Sequence, residues 1–113
     1  EKQGIILGYT TSLNLEVLDM QFFKATIHLN VLSQETKERI VSYCKNNPNV
    51  GFLIFCVGSW PLELELVVKD NREFYRIIDD LRRKFPEISG YETIIFPTEY
   101  KFDWMPLCYK VEK

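Results

Sequence analysis

The sequence predicts an α+β, ferredoxin-like βαββαβ fold: a four-stranded antiparallel sheet with two helices on one face. Three observations carry this. Apolar residues alternate with polar ones across residues 20–29, an apolar stripe at helical spacing runs from Phe74 to Phe85, and two apolar strand-like segments flank Gly58, Ser59, Trp60 and Pro61. A chain of 113 residues supports one core, and 46% hydrophobic with 27% charged residues suits a soluble globular domain. We divide it into a hinge strand and linker at 1–19, a core at 20–97 and a tail at 98–113.

The elements follow in order. In residues 20–29, Phe23, Ala25, Ile27 and Leu29 alternate with Phe22, Lys24, Thr26 and His28, the pattern of a strand with one core face. Ser33 is a helix N-cap, and Ile40, Val41 and Cys44 recur at helical spacing until Asn46, Asn47 and Pro48 end a helix over about 34–45. Residues 50–57 are apolar on both faces. Residues 62–68 alternate Leu62, Leu64, Leu66 and Val68 with Glu63, Glu65 and Val67. Asp70 followed by Glu73 resembles a capping box, and Phe74, Ile77, Ile78, Leu81 and Phe85 form one stripe until Pro86. Residues 91–96 read as a last strand, ended by Pro97, which has no amide proton to donate.

Right-handed crossovers place both helices on the same side of the sheet. The other side is left uncovered, with Phe22, Thr26 and His28 on it beside one face of residues 50–57. Such a surface predicts a partner, and a second copy packed sheet to sheet is the common solution. Phe22, Thr26 and His28 are therefore the candidate dimer interface. The apolar tail residues Trp104, Met105 and Leu107 are candidates to cover the sheet edge or to dock on a neighbour.

Several segments together are similar to the effector-binding domain of Lrp/AsnC (leucine-responsive) transcription regulators, over about Gly4 to Pro106, and the tail Glu99, Tyr100, Lys101 and Phe102 through Pro106 is most similar to archaeal members. Gly4, Ile5, Ile6, Leu7, Gly8, Tyr9 and Thr10 resemble the strand that links this domain to its DNA-binding half. Phe22, Phe23, Lys24 and Ala25 resemble its first core strand. Asn47, Pro48, Asn49 and Val50 resemble the approach to its second, and Gly58 through Leu64 resemble its glycine–aromatic turn. Asp70, Asn71, Arg72, Glu73 and Phe74 match the start of its second helix.

The resemblance implies a non-enzymatic, cytoplasmic regulatory domain that forms a homodimer, with an octamer or other higher oligomer as a further step. It also implies an amino-acid effector bound between dimers at Gly58, Ser59, Trp60 and Pro61. Pro61 stands where the family usually has an acidic residue. The family's helix-turn-helix would precede Gly4, where only three residues stand, so DNA binding is expected only through a domain this chain does not carry.

The remaining residues offer little for other chemistry. The formal net charge is −2 with cations scattered among acids, which argues against unaided binding to phosphate backbones. His28 is the sole histidine, so no triad or histidine-rich metal site is expected, and no cofactor is. Glu63 and Glu65 read as a solvated or interfacial face. Cys44, Cys56 and Cys108 are three widely spaced thiols, read as reduced and structural. No apolar run approaches the roughly 20 residues that span a bilayer. Two alternatives share this topology: a small dimeric α+β barrel enzyme using His28, Tyr43 or Tyr75, and an ACT-like amino-acid sensor with its ligand near residues 30–34.

Overall fold

A computed structural model of the chain describes residues 3–97 and 99–101. Its elements are β1 (Gln21–Leu29), α1 (Gln34–Lys45), β2 (Val50–Phe55), β3 (Leu62–Val68), α2 (Asn71–Lys84) and β4 (Ile88–Ile95). The sheet order is β2-β3-β1-β4 with every pairing antiparallel, which is the ferredoxin-like arrangement.

Local chemistry sets the helix ends. The Ser33 hydroxyl accepts a hydrogen bond from the Thr36 amide at 3.1 Å, and Asp70 accepts one from the Glu73 amide at 2.9 Å. Each satisfies an amide that the first helical turn leaves without a partner. Glu73 turns back to accept from the Lys69 amide at 3.1 Å and from the Asn49 side chain at 2.9 Å. Asn49 also donates to the Val67 carbonyl at 2.9 Å, so one side chain ties β2, β3 and α2 together.

The inner face of the sheet carries Phe23, Ala25, Ile27, Leu62, Leu64, Leu66 and Val68, all buried. Ile40 and Cys44 of α1 and Phe74, Ile77, Ile78 and Leu81 of α2 close over it. Phe74 stacks on Phe23 with ring centroids 4.7 Å apart, joining α2 to the middle of the sheet. Burial pushes the Cys44 thiol up to about 11, which makes it the inert structural cysteine expected. Between the helices, Tyr43 donates to Asp80 at 2.8 Å and meets Phe85 edge-on.

Tyr43 makes one contribution to stability that depends on alkaline pH. Burial, followed by its bond to Asp80, raises its phenol to about 12 from the ordinary 10.0. Below pH 10 both folded and unfolded chains hold this proton. Between 10 and about 12 the unfolded chain releases it first, so this contribution to stability is lost as pH rises through that window. The denaturation midpoint is expected to fall over this range, and Tyr43→Phe should make the fall shallower and remove the latest tyrosinate absorbance.

Four expectations are revised. The second strand ends at Phe55, not 57, because Cys56 already belongs to the turn that its amide closes by donating to the Pro61 carbonyl at 2.8 Å. The last strand begins at Ile88, three residues earlier than expected, because a bulge between His28 and Leu29 lets Leu29 pair with Ile88. The first strand starts at Gln21, since Met20 closes a turn back to Leu15. Residues 6–14 form no strand, and Leu7 is 94% exposed: the expected hinge strand finds no neighbouring edge among the described residues. Trp104, Met105, Leu107 and Cys108 lie outside the described residues.

Candidate assembly face and effector turn

Strand parity builds the outer face. Phe22 pairs with Val67, Lys24 with Glu65 and Ile94, Thr26 with Glu63 and Glu92, and His28 with Gly90. On β2, Phe52 and Ile54 sit opposite Glu65 and Glu63. Paired residues share a face. Phe22, Thr26 and His28, expected together from their spacing, therefore do lie on one surface, the side of the sheet away from the helices.

The surface has an ionic centre and an apolar surround. Lys24 lies 3.0 Å from Glu63 and 3.9 Å from Glu65. The Trp60 indole donates to Glu63 at 2.9 Å, and this bond, followed by that from Lys24, holds the Glu63 carboxyl below its ordinary range. Glu65 is shifted the other way, because burial outweighs the attraction of Lys24. Phe96 stacks on Phe22 at 5.3 Å and lies under the Lys24 ammonium. Phe52 and Ile54 are each 42% exposed, and Ile94 is similarly open. Thr26, in the middle, is 2% exposed, yet its hydroxyl has no partner among the described residues. Unpaired buried hydroxyls are uncommon in folded chains.

Gly58, Ser59, Trp60 and Pro61 form the β2–β3 turn. Gly58 and Ser59 are exposed and Trp60 and Pro61 half-buried. The structure joins this turn to the outer face through Trp60, Glu63 and Lys24, a connection with no local signature because Lys24 comes from another strand. Glu63 also places a carboxylate beside the indole, two residues beyond Pro61. The residues considered for catalysis do not meet: His28 is on the outer sheet face near Glu92, Tyr43 is between the helices, and Tyr75 is on the exposed side of α2. Among the described residues no group of three His, Cys, Asp or Glu side chains is placed to hold a metal ion, and no helix is long and apolar enough to cross a membrane.

The same backbone recurs in solved structures. An AsnC-family transcriptional regulator from Agrobacterium tumefaciens superposes with a TM-score of 0.79 over 97% of this chain and 72% of its own, at 19% identity. The fold is that of the Lrp/AsnC regulators. A transcriptional regulator from Neisseria meningitidis, in complex with L-Met, gives 0.79 over 91% of this chain and 67% of its own, at 14% identity. Escherichia coli AsnC gives 0.70 over 90% and 68%, at 16% identity. No protein-family model matches the sequence. No curated protein matches it either. The likeness to Lrp/AsnC regulators thus resides in the arrangement of strands and helices, not in residue identity.

Proposed function

We propose that the chain is the effector-binding and oligomerisation domain of a cytoplasmic Lrp/AsnC-type transcription regulator. It pairs sheet to sheet through the face bearing Phe22, Thr26 and His28, and the dimers assemble further, to an octamer or another higher oligomer. An amino acid binds between dimers at Gly58, Ser59, Trp60 and Pro61. The observation that carries this reading is an Lrp/AsnC-like fold whose outer sheet face keeps Phe52, Ile54, Ile94 and Phe96 open to solvent. Exposed apolar surface of this kind favours association. The L-Met complex of the Neisseria meningitidis regulator supports an amino acid as the effector.

Pro61 cannot receive an effector's ammonium group, but Glu63 can. It would do so in competition with Lys24 and Trp60, whose contacts with it define the ionic centre of the dimer face. Ligand at the turn and packing at the face then share one carboxylate. An effector that prefers one assembly shifts the population toward it.

Light scattering across micromolar concentrations, with and without each common amino acid and starting with L-Met, tests both parts. A dimer or larger species is expected, with mass or stability changed by the effector. Ligand at about 100 times its Kd should stabilise by about 2.7 kcal/mol, a shift of several degrees in Tm. A strict monomer would remove the assembly claim, whereas indifference to every amino acid would remove only the effector.

A further inference from the structure

From Asp70 to Lys84 the sequence looks electrically balanced, with acids and bases interspersed. Folding separates them. Asp70 caps the helix, and Glu73 is turned to the Lys69 amide and Asn49. Asp80 faces α1, where it accepts from Tyr43 and lies 3.6 Å from Lys84. The outward side of α2 is left with Arg72, Arg76, Arg82 and Arg83 against Asp79 alone. Four cations less one acid make a local formal charge of +3 on a chain whose total is −2.

These arginines line an open groove between α2 and the start of β4, with Tyr75 and Ile88 in its wall. Among the described residues Arg72, Arg76 and Arg82 form no ion pair, and Arg83 has only an exposed contact with Asp80 at 3.4 Å. Arg82 lies over the Tyr91 ring at 5.5 Å, and Tyr75 is 45% exposed. From Arg72 to Arg83 the row runs about 16 Å along the helix at 1.5 Å per residue. It lies on the helical side of the sheet, opposite the proposed dimer face, and stays open in that dimer.

We propose that this outward face of α2 binds the phosphate backbone of nucleic acid. A linear row of guanidinium groups matches a linear array of phosphates, each of which an arginine meets with two parallel hydrogen bonds. The exposed Tyr75 among the arginines favours nucleic acid over an acidic peptide, because tyrosine, like arginine, is among the side chains that bond phosphates and sugars along a nucleic-acid backbone. An open groove suits a polymer passing through it. The net charge of −2 is an average over charges that the fold places on different sides.

The test is fluorescence anisotropy of the full chain with a short labelled DNA duplex of arbitrary sequence. With about three phosphates neutralised per protomer, affinity should fall about 40-fold between 50 and 200 mM salt. Changing Arg72, Arg76, Arg82 and Arg83 together to Gln should weaken binding at least about tenfold while the circular dichroism spectrum is unchanged. Arg72→Gln with Arg76→Gln, at two exposed positions without ion pairs among the described residues, is the milder variant and should remove about two thirds of the salt slope. Absence of binding at low salt, unaltered binding by both variants, or displacement by polyglutamate as effective as by unlabelled DNA would each overturn the proposal.

Discussion

Phe74→Ala is expected to destabilise the fold by about 3–5 kcal/mol, the usual cost of removing a buried phenyl ring. Phe74 is fully buried and stacks on Phe23, itself buried, in the central strand β1. Its loss removes the main aromatic contact between α2 and the sheet. The cavity would lie beneath a helix whose other anchors, Ile77, Ile78 and Leu81, are on the same stripe and cannot move into it without tilting α2. Since domains of this size are stable by roughly 5–15 kcal/mol, such a loss leaves a substantial unfolded population on mild warming. Urea denaturation followed by circular dichroism measures it. Phe74→Leu, which keeps most of the volume, should recover more than half of the loss. A drop below about 1 kcal/mol for Phe74→Ala would show that the ring is not the keystone of this packing.

Ile54→Lys is expected to convert the proposed dimer to monomer while leaving the protomer folded. Ile54 is half-open on the outer face of β2 and is paired across the sheet with Glu63. In the monomer an ammonium group there remains hydrated and faces a carboxylate, a favourable cross-strand pair. In a sheet-to-sheet dimer the same group would be taken from water into apolar surroundings, beside Lys24. Two such sites occur in a twofold interface, so the dimer dissociation constant should rise at least about 100-fold, equivalent to about 2.7 kcal/mol. Sedimentation velocity of the variant and the parent, with circular dichroism as the check on folding, decides it. A variant that remains dimeric would place the interface elsewhere.

The elements themselves were legible because their signals are local. The Ser33 and Asp70 caps, the apolar stripe from Phe74 to Phe85 and the alternation of β3 each rest on spacings of a few residues, and the helices run where those residues place them. Parity alone put Phe22, Thr26 and His28 on one face. Strand ends were less legible. The limits of β2 and β4 depend on a turn closure and on a bulge opposite β1, neither of which has a signature in its own segment.

The turn at Gly58, Ser59, Trp60 and Pro61 was visible as a turn, but its connection to Lys24 through Glu63 joins residues from different strands. Glu63 and Glu65 read alike in the sequence, yet one carboxyl is held down by a tryptophan and a lysine and the other is raised by burial. In the sequence, Asp79 and Asp80 followed by Arg82, Arg83 and Lys84 read as the polar back of α2, with cations near its C-terminus complementing the helix dipole. What the sequence does not show is that Glu73 turns to Asn49, Asp70 caps the helix and Asp80 bonds Tyr43, which leaves Asp79 as the acid beside Arg72 and Arg76.

The sequence by itself determined the kind and order of the six core elements and, for β1, β3 and α2, which side meets the core, since backbone hydrogen bonding and hydrophobic periodicity act over short stretches of chain. Only the tertiary structure decided which charges are neutralised and which remain free, because an ion pair forms between groups brought within a few ångströms, and those groups come from distant parts of the chain.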